Sequence, residues 1–121
     1  MIVLALASGL ALTASHDDTR VETAARLARL VEVAAIDEAC AILPAGERAI
    51  LEREIATARH HAEAGGMSSA TWSSGSERIR RRWASPDCNA PGTQQTVLRY
   101  RQALNGWLMG GERNFEGHQR S

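Results

Sequence analysis

The stretch TRVETAARLARLVEVAAIDEACAIL, Thr19 to Leu43, decides the fold: 25 residues without glycine or proline, with apolar side chains returning every three or four positions. Leu27, Leu30, Val31 and Ala34 form one stripe, and Val33, Ile36, Cys40 and Leu43 form a neighbouring one. Two adjacent stripes predict a helix buried over a broad face. Thr19 with Glu22 reads as a capping box, and Asp17 and Asp18 add negative charge where a helix N-terminus favours it, so the helix is expected to begin near Thr19 and run to about Leu43.

Downstream, Pro44-Ala45-Gly46 interrupts this helix, and Pro44 suits the first turn of the next. That second helix is expected over about Ala45 to Ala64, with Leu51, Ile55, Ala58 and Ala62 inward and Glu47, Arg48, Glu52, Arg53, Glu54, Arg59 and Glu63 on a solvated face, before Gly65-Gly66 ends it. Trp72, Ser76, Ile79 and Trp83 recur at spacings of four, three and four, which predicts a third helix despite Gly75. After the turn-rich Ser85 to Gly92, Thr93 is expected to cap a fourth helix over about Gln94 to Met109, with Val97, Arg101, Leu104 and Leu108 on one face. Gly110-Gly111 would stop it, leaving 112–121 as a flexible tail. No alternating strand pattern and no repeat is present, so the fold class is all-α, a small bundle of three to four helices with one disulfide.

Met1 to Leu12 is uncharged and apolar and is followed by Thr13-Ala14-Ser15, the pattern of a secretory leader, and residues 1–15 are expected to be removed near Ser15. The run is shorter than the roughly 20 apolar residues a membrane-spanning helix needs. No basic residue precedes Arg20, which leaves open a start upstream of Met1, and the alternative is a buried N-terminal helix of a cytosolic bundle. The mature domain is expected at 16–111, periplasmic or secreted. Cys40 and Cys88 are the only cysteines, and an even pair in a small exported domain is expected to be bridged. Neither lies in a CxxC pair, so redox, haem and zinc motifs are absent.

Fourteen basic residues, all arginine, balance 14 acidic ones, so no long-range field steers nucleic acid or anionic lipid to the chain. The local exception is Arg78-Ile79-Arg80-Arg81-Arg82-Trp83. Arg78 and Arg82 share a helix face with Arg81 beside them, and these three are the candidate anion-binding residues, against a plain solvated face. Trp107 leans off the Val97 face and is the candidate partner contact. His60 and His61 diverge on a helix and do not make a metal site. Glu32, Asp37, Glu38, Glu52 and Glu54 read as surface acids. No catalytic motif is present, so no cofactor, metal or catalytic residue is expected.

A leader followed by a helical domain, with Cys40 ending its first helix and Cys88 preceding its last, resembles small exported bacterial two-cysteine helical proteins of unknown function. The resemblance implies an all-helical fold and an envelope or exterior location, and it carries over no functional residue. The first expectation is a non-catalytic domain that binds another envelope protein through an exposed apolar or tryptophan-bearing face. An anion- or envelope-surface-binding module using the arginine cluster is the second, and a small hydrolase-like or metal-dependent enzyme the third.

Overall fold

Both apolar stripes of the opening stretch are buried: Leu27, Leu30, Val31, Val33 and Ile36 are all at most 6 % exposed, and Ile36 is wholly enclosed. They lie on α1 (Ile2–Cys40) of a four-helix arrangement completed by α2 (Ala45–Ala64), α3 (Ser69–Arg82) and α4 (Pro91–Arg120). The computed structural model describes side chains for residues 19–106, and among these residues there is no strand. Each of the other three helices packs against α1. Leu51 and Ala58 of α2 and Val97 of α4 meet the α1 stripes in one core, with Ile55, Trp72, Ile79, Trp83 and Tyr100 packed around it. Burying Ile36, Leu51 and Val97 fully contributes about 1.5–3 kcal/mol each.

The ends of α1 differ from the sequence expectation. Thr19 does not start the helix, because α1 already includes it; its carbonyl accepts a hydrogen bond from Thr23 Oγ1 at 2.8 Å, as inside a helix. At the other end α1 stops at Cys40 rather than Leu43. Ala41 takes a left-handed φ of 49°, and the Leu43 amide turns back to donate to Asp37 Oδ1 at 2.7 Å. Pro44 adds to the stop by disfavouring helical geometry at Leu43, the residue before it. Leu43 nevertheless stays buried at 8 %, now as a loop residue.

That turn also corrects the reading of Asp37 as a surface acid. It is 7 % exposed, and its Oδ2 accepts from Arg48 Nη1 at 3.1 Å while the same nitrogen donates to the Ala34 carbonyl at 3.2 Å. Arg48 therefore leaves the solvated face assigned to it and ties the start of α2 to the end of α1. Arg26 pairs with Glu54 at 3.8 Å, so rising numbers on α1 meet falling numbers on α2, and the two helices are antiparallel.

The end of α2 follows expectation in detail. Gly66 has a φ of 108°, with its amide donating to the Glu63 carbonyl and that of Met67 to the Ala62 carbonyl, the paired bonds of a Schellman ending. Ser68 then caps α3 by accepting from the Thr71 amide at 3.1 Å. Gly75 inside α3 has open space where a Cβ would stand. Gly75→Ala is accordingly expected to raise the unfolding free energy by about 0.5–1 kcal/mol, measured by urea denaturation.

Cys40 and Cys88 form the expected disulfide, with their Cα atoms 5.6 Å apart. The bridge fastens the end of α1 to the turn before α4. Asp87 Oδ1 accepts from the Asn89 amide at 3.0 Å, and the Gln94 side-chain amide reaches back to the Cys88 carbonyl. The fourth helix begins at Pro91, not at a Thr93 cap: proline tolerates the first helical position, and Thr93 is buried within the first turn. The bounds of α4 pass Gly110-Gly111, where a stop was expected, while the side chains of the leader 1–15, of Trp107 and Leu108 and of the tail 112–121 lie outside the described residues.

Candidate functional site: an arginine-rimmed groove

Because α2 and α4 each pack on α1, a groove open to solvent runs between them with α1 as its floor and a volume of about 890 Å³. Leu30 and Val33 of α1, Ile50 of α2, and Ala103 and Leu104 of α4 make its apolar lining. Arg26 and Arg29, Arg53 and Arg99 come from the same three helices, against Glu32 and Glu54, so the lining carries a surplus of two positive charges. The hydroxyls are those of Thr57, Thr96 and Tyr100.

Polar side chains join α2 to α4 at this groove. Tyr100 donates its hydroxyl to Glu54 Oε1 at 2.9 Å, and Arg101 Nε donates to Glu47 Oε1 at 3.2 Å. Glu47 Oε2 lies 3.0 Å from Arg101 Nη2, an ion-pair distance without the alignment of a hydrogen bond. Glu47 and Glu54 thus serve between helices rather than on the free face the sequence suggested. Glu54 is held by Tyr100 and more distantly by Arg26. Among the described residues, Arg29, Arg53 and Arg99 pair with no acid.

Burial, then the hydrogen bond to Glu54 and the nearby negative charges of Glu54 and Glu47, raise the Tyr100 phenol above its ordinary value of 10.0. Tyr100 is the chain's one tyrosine, so its ionisation can be read without ambiguity from ultraviolet absorbance. A raised folded value means that the native state holds the proton longer than the unfolded chain. The Tyr100 contribution to stability is therefore complete below pH 10 and declines above it. In an alkaline titration the phenolate band is expected to appear later in native protein than in protein unfolded in urea, and Glu54→Gln should bring the two curves closer.

The residues singled out in the sequence lie elsewhere. Arg78 and Arg82 are exposed on α3, Arg81 pairs with Glu77 at 3.3 Å, and no α3 residue lines the groove. His60 and His61 are exposed, and among the described residues no three His, Cys, Asp or Glu side chains converge as metal ligands would. Trp72 lies half-buried under the Arg59 guanidinium, 4.9 Å from its ring centre, beside a shallow hollow where Arg59 is already paired with Glu63 at 2.7 Å. Trp83 packs against the core with its Nε1 lacking a hydrogen-bond partner among the described residues.

The groove itself was not read from the sequence. One local signal was present: Arg26 and Arg29 flank Leu30 and Val33, setting guanidiniums beside a buried stripe. The chain matches no family model, no curated protein and no solved structure.

Proposed function

We propose that the protein is an exported, non-catalytic binding domain whose ligand site is the groove between α2 and α4, and that its ligand is an anion with an apolar body. The observation that carries this reading is the groove's composition: an apolar floor contributed by three helices under a rim in which Arg29, Arg53 and Arg99 have no acidic partner among the described residues. Guanidiniums bind carboxylates and phosphates by paired hydrogen bonds, and the apolar floor favours a ligand that also has surface to bury. Export is supported by the leader-like residues 1–15 together with the Cys40–Cys88 bridge. The groove lining contains no cysteine, histidine or serine, so it offers no Ser–His or Cys–His pairing.

A broad face for a protein partner has less support. A standard interface takes about 800 Å² from each side, whereas Val21 and Leu98 are the exposed large hydrophobics among the described residues, at 68 % and 46 %. The groove, by contrast, has a volume within the range of small-molecule sites.

Anilinonaphthalene sulfonate, a fluorescent anion with an apolar body, provides the test. Saturable one-to-one binding to the native protein is expected. It should weaken at least tenfold in Ala103→Glu and Thr57→Glu, at exposed positions of the lining, and stay unchanged in an Arg78→Gln, Arg82→Gln double variant. Equal binding by the groove variants, or loss in the α3 variant alone, would overturn the assignment.

A further inference from the structure

We infer that the ligand class of this groove is the single-chain alkyl carboxylate, an inference that rests on the groove being the binding site. Leu30, Val33 and Leu104 are each at most 6 % exposed, so the apolar surface is a narrow floor between helices and not a broad face. A volume of about 890 Å³ lies in the range of small-molecule sites and accommodates one alkyl chain with its head group. The alkyl chain would lie along Ile50, Ala103 and the methylene stems of the rim arginines, above the floor of Leu30, Val33 and Leu104.

The rim selects the head group. Its surplus of two positive charges attracts an anion, and Arg29, Arg53 and Arg99, which have no acidic partner among the described residues, carry planar donor pairs that match a carboxylate. Glu32 in the same lining opposes a second negative charge, which favours a singly charged carboxylate over a doubly charged phosphate. The Tyr100 hydroxyl is committed to Glu54, leaving the arginines to hold the head group.

Calorimetric titration of the full chain with octanoate, decanoate, decanol and decyl phosphate, each below its micelle concentration, tests the inference. Each added methylene should tighten binding about fourfold, so decanoate should bind more than tenfold tighter than octanoate. Decanoate should also exceed both decanol and decyl phosphate, and an Arg53→Gln, Arg99→Gln double variant with unchanged thermal unfolding should lose at least tenfold for decanoate and little for decanol. Decanol binding as tightly as decanoate would remove the arginines from recognition, and tighter binding of decyl phosphate would move the ligand class to phosphate amphiphiles. Should anilinonaphthalene sulfonate occupy the groove while decanoate fails to displace it, the carboxylate inference falls and the groove remains the site. If neither binds, both fall.

Discussion

Replacing Cys40 and Cys88 together by serine is expected to lower the unfolding free energy by about 4 kcal/mol in the chain-entropy account of cross-links, because the bridge closes a loop between residues 48 apart. Small domains commonly have only about 5–15 kcal/mol in total, so the variant should unfold at much lower urea concentration and temperature. The bridge also joins the end of α1 to the turn that starts α4, and α4 supplies one wall of the groove. Loss of ligand affinity should therefore accompany loss of stability. Urea denaturation of the oxidised, reduced and double-serine proteins checks the magnitude: the last two should agree, and a difference below 1 kcal/mol from the oxidised form would show that the bridge is dispensable. Intact mass after alkylation should change only following reduction. Loss of about the first 15 residues on expression in a bacterial host would support export.

The second large effect is expected at Asp37. Asp37→Ala removes the acceptor for the buried Leu43 amide and leaves Arg48 without its partly buried partner, at a cost of about 3 kcal/mol. Asp37→Asn keeps an oxygen for the Leu43 amide and should cost about half as much. Exposed acids at comparable helix positions give the contrast. Glu77→Ala removes only an exposed pair with Arg81 and should change stability by less than about 0.5 kcal/mol. Denaturant midpoints for the three variants measure the order directly, and a Glu77 effect equal to that of Asp37 would contradict the role given to the α1–α2 turn.

Asp37 also shows where sequence reasoning stopped. The bounds of α2 were legible because Pro44 precedes it and Gly65-Gly66 provides the left-handed ending, both local backbone effects. The core stripes were legible for a similar reason: helical periodicity places Leu27, Leu30, Val31 and Ile36 inward whatever they meet. The end of α1 was not, because Pro44 restricts only Leu43, whereas the break falls three residues earlier, at the left-handed Ala41 and the Leu43–Asp37 hydrogen bond that only the folded turn supplies. Thr19 and Thr93 carried capping chemistry at positions that the helices pass through, since a cap needs a break in the backbone as well as a suitable side chain.

The candidate site was least legible of all. Arg26, Arg29, Arg53 and Arg99 are dispersed through the chain and line one groove only because α2 and α4 both pack on α1. The Arg78–Arg82 run drew attention by being contiguous, yet contiguous residues fan around a helix, whereas residues from three helices can line one groove. Glu47, Arg48 and Glu54 looked like surface charges for the same reason: their partners Arg101, Asp37 and Tyr100 lie on other helices.

The location of binding is the central claim, and nitrogen-proton correlation spectra of the labelled protein titrated with decanoate test it most directly. Shifts concentrated in residues 26–33, 50–57 and 96–104, with residues 78–82 of α3 unmoved, are the predicted result. Shifts centred on Arg78 to Arg82, or spread evenly over the surface, would contradict the groove as the ligand site.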